Sequence, residues 1–595
     1  MKKRVTMTTA EATTPLLDNQ LNPAEIASDW LRRFNDVVLS GNAGTLRDLL
    51  VEDSWWRDFV ALQPDIRTSR GVQKIIDFFG PLLTSERVES ISLSDVVTPI
   101  LDPATQIVTA SFTFDTSIAH VAGVIRLMPD PDGGWKAWTV FTMLDDLIGH
   151  EEERTTLLGA TSQKGLISRT EESWHERRAR ETEEACDHPD VLVVGAGHAG
   201  LNVAARTRRL GLKTLLCEKT ARVGDQWRSR YHNLSLHDTK YYGQLSYMPY
   251  PDNWPVFVPK ELVADWFETY AWVQELNVWT STRVVSAEFN EADQRWTVVI
   301  DRNGEEHVVK PSHVVFGSGS FAEGVVPELP GREDFKGLVV HSGQHIGGPD
   351  LRGKNVVVVG TASSAMDVAQ DAYENGATVT MVQRGPTYVV SIEHGIPGIF
   401  GIYNESSPPA DKLDLLAVSL PLSLTIESMS PLVDSLAEKD KELLEGLERR
   451  GFRLTKGENN GGMAEISLKR GGGIYIEKGA CQMIIDGKIA LQQGEVSSYT
   501  ADGVVYSDGT SAPADIVVFA TGYPNMREHV RNVVGDDVAD SLSEVWGLDE
   551  EGEIRGIFRP SGHPNLWYSA GAFFNTRYGS RLIARQIKAS IEGIR

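Results

Sequence analysis

The stretch at residues 191–200, VLVVGAGHAG, constrains this chain more than any other. An apolar strand runs directly into glycines at 195, 197 and 200 and then into a small-residue helix. That order belongs to the strand–turn–helix unit of a parallel sheet. Gly195 permits the tight turn, Gly197 lets the backbone approach a pyrophosphate, and Gly200 lets the helix pack closely on the sheet. The helix N-terminus then offers free N–H groups and its positive dipole end to phosphate. The next strand, LKTLLCEK, leads to Glu218, spaced to hydrogen-bond both ribose hydroxyls of an adenosine. Strand, glycines, helix, strand and acid in register predict a dinucleotide site.

A second unit follows at residues 355–365, NVVVVGTASSA. Gly360 takes the first turn position, Ala362 and Ala365 replace the later glycines, and Ser363 and Ser364 open the helix. The following strand, ATVTMVQR, ends in Gln383 and Arg384 with no acid. A basic residue there suits a 2′-phosphate, hence NADPH over NADH. One acidic and one basic dinucleotide fold together imply FAD plus NADPH, and hydride transfer into a flavin.

With 595 residues the chain exceeds one core. The expected organisation is a disordered tail at 1–23, an α+β cone-like domain at 24–148, and a charged linker helix at 149–188. An FAD domain at 189–345 is then interrupted by an NADPH domain at 346–505, which carries an apolar insertion at 400–470, and is completed by 506–595. The formal net charge of −24 argues against nucleic acid and anionic membrane partners. Three widely spaced cysteines give neither a disulfide framework nor a zinc site. No metal ligand set is expected. With no apolar run of 18 residues or signal-peptide core, no integral membrane segment is read, and a cytoplasmic setting is expected.

Further segments resemble class B flavoprotein monooxygenases, the flavin-containing monooxygenase family, most of all its YUCCA-type members. They are GDQW at 224–227, LSLHDTK and LSYMPYP within 234–251, FKGLVVHSGQH at 335–345, FATGY at 519–523, and the C-terminal LWYSAG. Four features depart from the pattern: the 335–345 fingerprint ends in His345 rather than an aromatic residue, His237 stands where animal members carry Asn and YUCCA-type members also carry His, the first adenosine-linker repeat is GSGS at 317–320 rather than ATG, and Ala362 replaces a glycine. The N-terminal region loosely resembles NTF2-like or SnoaL-like cones through its long first helix, Trp55-Trp56 and the strand WKAWTVFTML.

The resemblance implies two Rossmann-like domains and NADPH-driven insertion of one oxygen atom from O2 through a C4a-(hydro)peroxyflavin. Heteroatom oxygenation, Baeyer–Villiger insertion and oxidative decarboxylation of a 2-oxo acid remain open. The alternatives are an NADPH oxidase or flavin reductase releasing hydrogen peroxide, favoured if Ala362 and His345 loosen NADP, and a flavin-holding sensor. The implied catalytic residues are His237 and His341. The implied cofactor contacts are Gly195, Gly197, Gly200, Glu218, Trp227, His237, Val284, Gly360, Ser363, Ser364, Arg384, Gly522 and Gly571. His394 reads as a loop residue, and Asp53 and His120 as polar groups of an N-terminal pocket. The expected partners are a small organic substrate, O2 and, through the N-terminal domain, a second copy of the chain.

Overall fold

The computed structural model describes residues 21–152, 173–319, 324–345 and 347–594. Residues 1–20 of the expected tail, 153–172 of the expected linker, Ser320 and Ile346 lie outside the described residues.

The N-terminal unit is a seven-stranded sheet wrapped around two helices, Pro23–Ser40 and Val72–Ser85. The first helix is capped by the Asn22 side chain and ended by Gly41 in the left-handed region. Its apolar stripe meets the sheet through a run of rings: Trp30 stacks on Phe34 (5.3 Å), Phe34 meets Trp56 (6.0 Å), and Trp56 stacks on Phe79 (5.0 Å). Strand Leu50–Phe59 pairs parallel with Trp135–Leu147 and antiparallel with Ile66–Arg70. Because side chains alternate along a strand, Trp56 faces the helices while Arg57 and Phe59 face away. That outer face lies against the rest of the protein, where Phe59 stacks on Tyr578 (6.0 Å).

Two parallel five-stranded sheets follow. The first runs Val278–Trp279, Thr214–Cys217, Val191–Val194, His313–Phe316, Leu566–Tyr568. Its last strand comes from the far end of the chain, and helix Phe573–Ile591 then packs on helix His198–Arg209. The second sheet runs Leu338–His341, Ile516–Phe519, Asn355–Val359, Thr378–Gln383, Ile489–Gln493. It therefore takes in a strand upstream of position 346, and the chain leaves it only after Phe519. The first nucleotide fold is interrupted by the second.

The insertion leaves the second fold through strand Tyr388–Ser391 and returns through its parallel partner Ile474–Glu477. Between them the apolar stretch is cut into short helices, Ala410–Val418, Leu422–Ser428 and Ser430–Lys439, with prolines at or beside their starts. His394 sits in helix Ile392–Phe400, not a loop, because Ser391 caps the helix start by accepting from the His394 N–H (3.1 Å), while Asp440 holds the ring Nδ1 at 2.6 Å.

The N-terminal unit docks through buried ion pairs. Arg57 meets Glu553 at 2.6 Å with both side chains almost fully buried, and Thr68 Oγ1 donates to the same carboxylate (2.6 Å). Arg559 reaches back to Asp65 (2.8 Å). Asp53 and His120 are paired at the surface rather than inside the cone: Asp53 is an exposed partner of Arg70 (2.8 Å), and His120 pairs with Asp115 (2.7 Å).

Candidate dinucleotide sites and the junction between them

The turn after Val191–Val194 is closed by contacts that tolerate no side chain. Gly195 has φ +98°, and a Cβ there would lie 2.9 Å from Ser318 Cα. A Cβ on Gly200 would lie 1.9 Å from the Gly195 carbonyl oxygen. Gly197 differs: it caps helix His198–Arg209 with no side-chain cap, and a Cβ there would approach only Gln226 Nε2, at 3.4 Å. The Gln226 amide has both polar atoms buried with no hydrogen-bond partner among the described residues. Uncapped N–H groups, an open glycine face and an orphaned amide fit a dinucleotide pyrophosphate.

Glu218 is buried at the end of the next strand. Its Oε2 accepts from Ala196 N–H (2.8 Å) and its Oε1 from Thr220 N–H (2.9 Å) and Oγ1 (2.8 Å). An ionised carboxylate accepts about four hydrogen bonds, so capacity for a ribose hydroxyl remains. Val284 lies two residues after Thr282, whose N–H donates to the Glu218 carbonyl (2.8 Å). Trp227 is partly buried between Phe267 (6.5 Å) and Phe573 (6.2 Å). The Gly571 carbonyl is bound to His198 Nε2 (2.9 Å), which seats the start of the C-terminal helix beside the glycine turn.

In the second fold Gly360 has φ +129°, and a Cβ would lie 2.7 Å from Ala520 O. Ala362 is the N-cap of helix Ser363–Glu374, which again has no side-chain cap. The Ser363 hydroxyl donates to Ile474 O (2.9 Å), tying the helix start to the returning strand of the insertion, and Ser364 is the next residue of the first turn. Arg384 is 79% exposed and 3.4 Å from Glu495. Beside it Arg453 donates to the carbonyls of Gln383 (3.2 Å) and Arg384. Two guanidinium groups at the end of this strand fit a 2′-phosphate. Arg453 lies some 70 residues downstream, inside the insertion, with no local motif to mark it.

The two folds meet at Asp367, on helix Ser363–Glu374. Its Oδ2 accepts from His237 Nε2 (2.8 Å) and from Tyr231 OH (2.7 Å), and Lys478 Nζ stands 3.4 Å from Oδ1. Burial pushes this carboxyl up, but His237, Lys478 and Tyr231 outweigh it and hold it at about 2. His237 is part-exposed, and its Nδ1 has no partner among the described residues. Asp238, next in sequence, has no hydrogen bond among the described residues; burial raises its carboxyl to about 6 while His237 pulls the other way. Beyond it Tyr242 packs against Phe400 (4.8 Å), Tyr403 (5.2 Å) and Phe574 (5.2 Å), an aromatic wall built from three segments.

His341 is engaged differently. Its Nε2 donates to Gly522 O (3.1 Å) and its Nδ1 accepts from Gly343 N–H (3.1 Å), so both nitrogens are used within the protein. Burial lowers its pKa, in keeping with the neutral tautomer these bonds require. It fastens the FATGY segment through which the chain leaves the second fold. His345 is buried 3.9 Å from Asp371 with its Nε2 unpartnered among the described residues, and burial lowers it to about 4.

Comparison with known proteins accords with this arrangement. The family description "Pyridine nucleotide-disulphide oxidoreductase" matches residues 192–393. Cyclohexanone monooxygenase in complex with ε-caprolactone shares the fold at a TM-score of 0.51 and 19% identity, over 69% of this chain and 89% of that one. A probable indole-3-pyruvate monooxygenase of Arabidopsis thaliana, YUCCA10, is 28% identical over 56% of this chain and 81% of its own length. Indole-3-pyruvate monooxygenase YUCCA1 of Oryza sativa subsp. japonica is 30% identical over 56% of this chain and 77% of its own. Two nucleotide folds joined at one carboxylate, and relatives matched over most of their length, place the chain in the flavin-containing monooxygenase family, whose members use NADPH and FAD to insert one oxygen atom from O2.

Proposed function

We propose that this monooxygenase acts on an aromatic 2-oxo acid and decarboxylates it oxidatively. The observation that carries the reading is the Tyr242–Phe400–Tyr403–Phe574 wall, whose Tyr242 lies near Asp238, the residue after His237. Indole-3-pyruvate, after which the relatives are named, has the matching shape: a flat apolar ring and a short polar acid. The balanced reaction takes the 2-oxo acid, O2, NADPH and H⁺ to the acid one carbon shorter, CO2, NADP⁺ and water.

The flavin supplies two-electron chemistry from NADPH to O2. The chain's own residues bind, orient and shield. The turn at 195–197 and Gln226 hold one pyrophosphate, and Glu218 a ribose. Arg384 and Arg453 hold the 2′-phosphate of NADPH. The His237 ring is held through Nε2 by Asp367, which leaves Nδ1, without a partner among the described residues, to hydrogen-bond substrate. The aromatic wall excludes water from the reacting region.

The N-terminal unit reads as an NTF2-like cone. Any homodimer built through it has to use its helical side or its edge strands, because the outer sheet face is already taken by the core.

The test is turnover of indole-3-pyruvate by the FAD-loaded protein with NADPH. Formation of indole-3-acetate and CO2 in proportion to NADPH consumed, with little hydrogen peroxide, is the expected result. Stoichiometric peroxide with no product would replace this reading with the NADPH oxidase one.

A further inference from the structure

Two guanidinium groups of the N-terminal unit converge on one end of one helix in the insertion. Helix Ala410–Val418 ends at Ser419. Arg57 Nη1 donates to Val418 O (2.5 Å) and Leu420 O (3.0 Å), and Arg126 Nη2 donates to Ser419 Oγ (2.9 Å). Arg57 is neutralised by Glu553. Arg126 is not: its other contact is Thr139 Oγ1 (3.4 Å), and no ion pair holds it among the described residues. Burial pulls its pKa down to about 10. A buried guanidinium without a carboxylate is costly, and packing of the sheet does not require one. The group that offsets the cost is the negative end of the helix, whose last carbonyls have no partners within the helix.

The same helix also reaches the aromatic wall, through Asp414. Asp414 accepts two bonds from Arg577 (both 2.7 Å) and one from Tyr403 OH (2.8 Å). Arg577 also donates to the carbonyls of Tyr242 and Gln244 (both 2.8 Å). Tyr242 and Tyr403 are members of the aromatic wall. A continuous set of buried polar contacts thus runs from the N-terminal sheet, through one helix, to the wall.

We propose that the N-terminal unit is a brace for that wall: Arg57 and Arg126 cap helix Ala410–Val418 and so fix Asp414, Arg577 and Tyr242. They are positioning residues, remote from substrate and cofactor. The part of the proposal that concerns substrate rests on the function proposed above; the part that concerns the helix does not.

The test uses the full-length FAD-loaded protein and the variant Arg126→Met, which strands no counterion. Hydrogen exchange of the amides at 410–420 is expected to quicken about tenfold or more as local opening becomes easier. The melting temperature is expected to hold or rise, because a buried charge has been removed. The rate of flavin reduction by NADPH stays unchanged, and KM for indole-3-pyruvate rises about fivefold. Ser419→Ala, which removes the other partner, shifts exchange in the same direction. Wild-type exchange at 410–420 in both variants would overturn the proposal. So would faster exchange spread evenly over 23–147, which would mark Arg126 as internal to the N-terminal unit. If wild type fails to consume indole-3-pyruvate, the substrate reading falls while the exchange result still decides the brace.

Discussion

His237 and Asp367 are 130 positions apart in sequence, yet a 2.8 Å hydrogen bond between them ties the first nucleotide fold to the leading helix of the second. One carboxylate thereby sets both the relative position of the folds and the orientation of the imidazole at their junction.

Asp367→Asn keeps the shape but removes the charge. Bound flavin per chain is expected to stay at one, while turnover falls by about 10- to 100-fold, the usual cost of losing a partner that orients a functional histidine. The wild-type carboxyl lies at about 2, below its unfolded value. Its contribution to stability is therefore complete above about pH 4 and lost as pH falls through about 2, on the order of 2 kcal/mol. Denaturant midpoints of wild type and Asp367→Asn between neutral and acid pH measure it.

Asp238 bears on substrate binding. Its carboxyl, raised to about 6 by burial, ionises near the aromatic wall as pH rises. For an anionic 2-oxo acid, KM should climb several-fold between about pH 5 and 7 as like charges meet. Asp238→Asn should flatten the profile and leave NADPH binding alone. An unchanged profile in the variant would remove Asp238 from the substrate path.

Gly200→Ala and Gly197→Ala should part company. The first drives a Cβ to 1.9 Å from the Gly195 carbonyl oxygen, so the turn and helix cannot both persist and little folded, flavin-bearing protein is expected. The second has room within the protein. It should fold with a near-native melting temperature but retain flavin at least about tenfold more weakly, because its methyl occupies the pyrophosphate's approach.

Arg384→Ala and Arg453→Ala should each raise KM for NADPH about 10- to 100-fold, as loss of a charge-assisted phosphate contact does, with kcat nearly kept. KM for NADH should barely move. Similar losses for both nucleotides would place the 2′-phosphate elsewhere.

The docking of the N-terminal unit can be weighed by a pair of variants. Arg57→Met leaves Glu553 buried without its cation and should cost about 3–5 kcal/mol; Arg57→Met with Glu553→Met should recover most of that. Denaturant unfolding of wild type, single and double variants gives the comparison.

Gly195, Gly200 and Gly360 were legible because their constraint is local: a turn closes on its own backbone within a few residues, and only glycine fits. The parallel sheets were legible for the same reason, since apolar runs feeding straight into small-residue helices pack in few other ways. The pairing of His237 with Asp367 is not written locally; it joins segments that only the finished fold brings together. Arg453 was missed likewise, as a lone arginine in an insertion. Strand Leu50–Phe59 was hidden by its own polarity: it carries Glu52, Asp53, Arg57 and Asp58, of which Arg57 and Asp58 are buried, Arg57 against a carboxylate 496 positions away.

The outer strand of the first nucleotide sheet, Leu566–Tyr568, and the helix after it are made long after strand His313–Phe316, on which Leu566–Tyr568 pairs. Until they emerge, strand His313–Phe316 shows an unpaired edge to chaperones or to neighbouring nascent chains. The N-terminal sheet, made first, meanwhile waits with Arg57 and Phe59 uncovered, since Glu553 and Tyr578 come from the same late stretch. Folding during synthesis is thus a race against aggregation, decided when Glu553, strand Leu566–Tyr568 and Tyr578 arrive. A chain cut before Glu553 would expose both surfaces and aggregate rather than work slowly.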